Sequence, residues 1–141
     1  MTACPIEDRL ALQDLTIAYA HAVDSMTDVE GIAQCFTEDA DYDLTGIGFP
    51  KVEGRAGIRA LFAGILAGNA HHAHYLSNFA VTAYAGDTAS VRTYVIGMGR
   101  GKDGSEICVH GRYYFDALRT AEGWRFARYT MDFLIPPAGA A

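Results

Sequence analysis

His71-His72-Ala73-His74-Tyr75-Leu76-Ser77-Asn78 opens a long run of period-two patterning just after an amphipathic helical pattern. On a strand, alternate side chains share a face, so His74, Leu76 and Asn78 are expected to look the same way. An imidazole and an amide flanking a leucine suit a face on which something polar is meant to arrive. The rest of the chain reads as a pocket built over that face.

Downstream, the period of two continues. Residues 72–84, 88–99, 105–119 and 124–133 read as strands, separated by turns at Gly86-Asp87, Lys102-Asp103-Gly104 and Glu122-Gly123. The run Gly97-Met98-Gly99-Arg100-Gly101 reads as a turn or bulge; it lacks the strand-to-helix context of a phosphate loop. Trp124 reads as core, and Arg112, Arg119, Arg125 and Arg128 as strand residues on the convex face or in an oligomer contact.

Upstream, the patterning is helical. Residues 5–23 carry Pro5 in the first turn, Glu7 and Asp8 at the positive end of the dipole, and an apolar stripe through Leu12, Leu15, Tyr19, Ala22 and Val23. Asp24 falls at the C-terminal end, where the dipole disfavours a negative charge, so it either caps the next turn or seeks a partner from elsewhere. Thr27-Asp28-Val29-Glu30 has the form of a capping box and starts a short helix through Phe36, ended by residues 37–39. A short strand over 40–45 sets Tyr42 and Leu44 on one face. Gly46, Gly48, Pro50 and Gly54 mark a loop or hairpin return, and residues 55–67 form a helix closed by Gly68.

Helices first and long antiparallel strands after them give an α+β architecture in one domain spanning residues 1–141, with a loose tail over 136–141. A sheet this long curls, and the first helix lies across its concave face, leaving a half-open cone with a pocket inside. Val91, Val95, Ile107 and Phe115 read as an outer face covered by a second subunit, which implies a homo-oligomer, dimer or trimer.

The 141 residues are 50% hydrophobic and 20% charged, ordinary globular values. A net charge of −6 and scattered basic residues disfavour nucleic acid and anionic membrane as partners. Cys4, Cys35 and Cys108 have no paired spacing, no stretch approaches a membrane span, and the N-terminus lacks a secretory pattern, so a cytoplasmic location is expected. No cofactor is called for. A metal site from His71, His72 and His74 is disfavoured, because no carboxylate or cysteine follows at ligand spacing. His71 and His72 read as solvated loop residues and His21 as surface or helix packing.

The order of elements resembles the nuclear transport factor 2-like (SnoaL-like) superfamily across nearly the whole chain. The signals are Tyr19-Ala20-His21-Ala22-Val23-Asp24, Phe36-Thr37-Glu38-Asp39-Ala40, Val52-Glu53-Gly54, His74-Tyr75-Leu76-Ser77-Asn78 and Gly123-Trp124-Arg125-Phe126. Within the superfamily the chain looks most like scytalone dehydratase and hexachlorocyclohexane dehydrochlorinase, cofactor-free lyases that use an Asp–His pair. The resemblance implies that Asp24 and His74 are that pair and that His110 stands where scytalone dehydratase has a second histidine. The dehydrochlorinase carries cations near the positions of Tyr19 and Tyr129; phenols here point away from chloride as the leaving group. The tyrosine expected beside the aspartate is Val23.

These residues can take a proton from a carbon next to an electron-withdrawing group, with Asp24 fixing the tautomer of His74 and stabilising the imidazolium. Tyr19, Tyr42, Tyr129, Asn78 and His110 are candidate donors to a substrate oxygen. The expected function is a lyase acting on a small hydrophobic or aromatic substrate by loss of water or by retro-aldol cleavage. An isomerase or cyclase working through an enolate and a non-catalytic binding or assembly module are the alternatives.

Overall fold

The structure, a computed structural model, describes residues 3–139; the last residues of the expected loose tail lie outside them. In chain order the elements are α1 (Ile6–Asp24), α2 (Val29–Gln34), β1 (Phe36–Asp43), a 3-10 turn (Thr45–Ile47), β2 (Lys51–Glu53), α3 (Gly54–Gly68), β3 (Asn69–Tyr84), β4 (Thr88–Gly101), β5 (Glu106–Thr120) and β6 (Gly123–Ile135). The strands form one six-stranded sheet in the order β2-β1-β6-β5-β4-β3. The sheet is mixed rather than wholly antiparallel, because β1 runs parallel to β6 while every other pairing is antiparallel. Register shifts in β1, β3, β5 and β6 bend it, and it stays unclosed, with β2 and β3 at its edges.

α1 packs into the curl. Leu12, Thr16, Tyr19, Ala20, Ala22 and Val23 are buried, and the Tyr19 ring meets Phe36, Phe62, Tyr113 and Phe115 edge-on at centroid distances of 5.8, 6.4, 6.0 and 5.8 Å. Such edge-to-face contacts add to the burial of the rings. At its other end α1 is tied down by Asp8. Its carboxylate accepts bonds from Arg119 at 2.8 and 3.0 Å, Tyr84 at 2.5 Å and Trp124 Nε1 at 3.2 Å. The Arg119 guanidinium, followed by Tyr84, holds the Asp8 carboxyl well below the usual carboxylate range.

Some sequence expectations shift. Asp28, not Thr27, caps α2, accepting from Gly31 N at 2.8 Å. The strand expected from residue 40 begins at Phe36, where the buried Phe36 side chain joins the core and pairing with β6 starts. Val91, Val95 and Phe115 belong to the buried core under α1 and Ile107 borders the inner cavity, so these residues do not form an outer face. The alternation places them inward because their neighbours Arg92, Ile96, Cys108 and Asp116 take the other side.

Candidate active site

α1 ends cleanly at Asp24, and the next residues do the capping. Ser25 Oγ donates to the Ala22 carbonyl at 2.7 Å and accepts from the backbone N–H of Thr27 and Asp28 at 3.3 and 3.1 Å. Met26 adopts a left-handed φ of 66°, which stops the helix. Asp24 is thereby free of local capping and turns toward β3. Because β3 is an edge strand, its outward N–H groups lack a strand partner, and Asp24 takes one of them. Its Oδ2 accepts from the His74 backbone N–H at 2.9 Å, and its Oδ1 lies 2.6 Å from His74 Nδ1. A carboxylate only accepts, so Nδ1 carries a proton, and in the neutral ring the lone pair is then on Nε2. The two side chains keep 29% and 17% of their accessible surface, shielded yet within reach.

His74 lines a cavity of about 370 Å³, within the range of small-molecule sites. Leu61, Phe62 and Ile65 of α3 and Leu44, Ile47 and Phe49 of the β1–β2 connection form apolar walls. Phe49 and Ile107, which border it while remaining 56% and 59% exposed, mark its mouth. Tyr19, Tyr42, Tyr113 and Tyr129 meet on another wall. The Tyr19 and Tyr42 hydroxyls hydrogen-bond each other, Tyr129 donates to Met131 Sδ at 3.3 Å, and the Tyr42 and Tyr129 rings stack at 4.3 Å. Burial is the leading cause that pushes all four phenols above the usual tyrosine range, so they are neutral hydrogen-bond donors at neutral pH. Among the described residues no group of three or more His, Cys, Asp or Glu side chains is arranged to hold a metal ion.

The profile of the SnoaL-like domain matches residues 5–130. This chain belongs to the SnoaL-like family. Its SnoaL-like domain is similar to a solved structure from Novosphingobium aromaticivorans, provisionally named an aromatic ring hydroxylase, at 61% identity and a TM-score of 0.94, covering 95% of this chain and 94% of that one. It shares its fold with a protein of the same organism provisionally named a scytalone dehydratase, at 20% identity and a TM-score of 0.83, with 96% of each chain covered. It also shares its fold with a type 2 hexachlorocyclohexane dehydrochlorinase, LinA, at 21% identity and a TM-score of 0.81, covering 96% of this chain and 92% of that one.

The SnoaL-like fold brings Tyr19, Tyr42, Tyr129 and His74 to one cavity, with Asp24 bonded behind His74. It does not bring His110 or Asn78 there. His110 lies on the outer face of β5, paired with Ile96 and Ile135, while Val109 and Tyr113 face the cavity. The apolar alternation Ile107, Val109, Tyr113, Phe115, Ala117 was the sequence signal that sets His110 outward. Asn78 has φ 55° in a register shift of β3, is exposed, and borders a separate groove beside Gln13 and Ile17. The bulge breaks the alternation that would have aligned it with His74.

Two cavity residues were missed. His72 is not a solvated loop residue but a cavity-lining one on β3, and Tyr113 adds a fourth phenol. Residues 97–101 are not a turn; they continue β4 opposite the histidines.

Proposed function

We propose that this protein is a cofactor-independent lyase acting on a small, uncharged, hydrophobic or aromatic substrate. The observation that carries the reading is the two-point grip of Asp24 on His74, which leaves Nε2 unbonded at the wall of an apolar cavity. His74 Nε2 takes a proton from a carbon next to an electron-withdrawing group, and Asp24 stabilises the imidazolium. The C–H electron pair becomes the new double bond. The leaving hydroxyl departs with the proton that His74 hands on, so the net loss is one water and the base is restored. The Tyr19–Tyr42 pair has one proton beyond the one it shares, and Tyr113 and, on turning from Met131 Sδ, Tyr129 supply further neutral donors toward the substrate oxygen. General-base assistance of this type contributes roughly 10²- to 10⁴-fold.

An aromatic ring fits an apolar cavity of this size, and the provisional name of the Novosphingobium protein at 61% identity points to the same substrate class. The phenol cluster also supports a second reading. Donors that hold a carbonyl oxygen equally hold an enolate, so the same base serves an isomerase or cyclase if no group leaves.

The test is a screen of small hydroxylated ketones for water loss, read as the absorbance of the new double bond. Asp24→Asn and His74→Ala are expected to keep the wild-type circular dichroism and lose at least about 100-fold in rate. Variants that turn over like wild type contradict the assignment.

The outer face of the sheet also favours self-association. Tyr75 and Ile135 remain 63% exposed, and they close a cross-strand row with Ile96 and His110. Sedimentation of wild type against Tyr75→Glu tests that reading: a homo-oligomer in wild type that dissociates in the variant supports it.

A further inference from the structure

His72 lines the same cavity two residues before His74, and its ring stands edge-on to that of His74, with centroids 5.7 Å apart and planes at 88°. β4 makes room for both rings in the same way: Gly97 pairs with His74, and Gly99 pairs with His72. A Cβ on Gly99 would sit 3.3 Å from His72 Cδ2, and one on Gly97 would sit 3.1 Å from His74 Cδ2. Glycine inside a strand weakens it and marks a close approach by another group. Both imidazoles therefore lie down over the neighbouring strand, but only one is committed to Asp24.

The other has an open edge. His72 Nδ1 is buried with no well-formed hydrogen bond, and Cδ2 rests over Gly99. The polar atom left to face open space is Nε2. That space is a junction: His72, Met98, Gly99 and Ile107 border both the cavity and a second recess of about 570 Å³ at the outer ends of β3, β4 and β5. Burial, and then the neighbouring His74, hold His72 below the ordinary histidine range, which keeps it uncharged at neutral pH. The Val23 backbone acts in the opposite direction, favouring a proton on the ring, without outweighing burial.

We propose that His72 is a second substrate-contacting residue, whose Nε2 accepts a hydrogen bond from a hydroxyl or N–H of the substrate. The site then selects a small apolar ring that carries such a donor over the same ring without one. This deepens the reading of the cavity as a substrate site and rests on it.

The experiment uses two probes of equal shape, 4-ethylphenol and 4-ethyltoluene, with the ¹⁵N-labelled chain and histidine side-chain correlation spectra. In the free wild-type protein the His72 Nε2 resonance is expected to be that of an unprotonated nitrogen, and 4-ethylphenol is expected to shift it. The affinity ratio of phenol to toluene probe is expected to fall on the order of 3- to 10-fold in His72→Phe. A protonated Nε2 in the free protein, a His72 resonance that neither probe moves, or an unchanged ratio in His72→Phe overturns the proposal. The tautomer is read on the wild-type chain and so does not depend on how the variant folds. Neither readout needs turnover, so this inference and the base assignment fail separately.

Discussion

Gly97 stands directly across the strand pair from His74, and the side chain it lacks is the space that the imidazole occupies. A Cβ there would lie 3.1 Å from Cδ2 and 3.3 Å from Nε2, so the ring would have to give by a few tenths of an ångström. Gly97→Ala is therefore expected to fold with a melting temperature close to wild type, since alanine suits a strand interior better than glycine. Its proton-transfer rate is expected to fall by roughly 10-fold, because small misplacements of a base are costly. Thermal melting and proton-exchange rates measured on the same sample check both parts. A variant that exchanges at the wild-type rate removes Gly97 from the site.

The phenol cluster predicts alkaline instability. Burial raises Tyr19, Tyr42, Tyr113 and Tyr129 above their unfolded value, so the unfolded chain loses these protons first. Their contribution to stability is complete below the unfolded tyrosine value of about 10 and is lost as pH rises above it. Urea unfolding midpoints measured from pH 8 to pH 11 should hold and then drop above about pH 10, and the tyrosinate absorbance of these four of the eight tyrosines should appear only on unfolding.

Asp8 predicts the opposite limb. Its folded value is depressed, first by Arg119, so its stabilisation is present above the unfolded carboxylate value of about 3.9 and is lost as pH falls through the folded one. Asp8→Asn removes the charge that ties α1 to β3, β5 and β6 and should cost about 1–3 kcal/mol in urea unfolding at pH 7. The gap between variant and wild type should narrow in acid.

The Tyr19–Tyr42 hydroxyl pair is buried, so removing one partner strands the other. Tyr19→Phe and Tyr42→Phe should each cost about 1–2 kcal/mol, and the double variant less than their sum. A double-mutant cycle by chemical denaturation measures the coupling.

Much of the fold was readable because the pattern settles into a period of two near Asn69, after helical stretches interrupted by one short strand. Helix α1, helix α3 and the late strands β4 to β6 follow directly from it, with ends moved by a residue or two. The parity of each strand was harder. A single bulge after Ser77 turns Asn78 away from the face that His74 occupies, and no local signal in that stretch announces it. His110 is a different case, since the apolar alternation of β5 already sets it outward. The parallel pairing of β1 with β6 is a long-range contact that local patterning does not encode. The glycines at 97 and 99 suggested a turn because their use, making room for rings from β3, appears only once β3 and β4 are in register.

The central claim is that His74, oriented by Asp24, removes a proton from carbon inside the cavity. The direct measurement is exchange of solvent deuterium into the acidic C–H positions of 1-indanone, followed by NMR with wild type, Asp24→Asn and His74→Ala. Wild type is predicted to accelerate exchange over buffer, and both folded variants are predicted to lose at least about 100-fold of that acceleration. Exchange by the variants at the wild-type rate, or no acceleration by wild type, would contradict it.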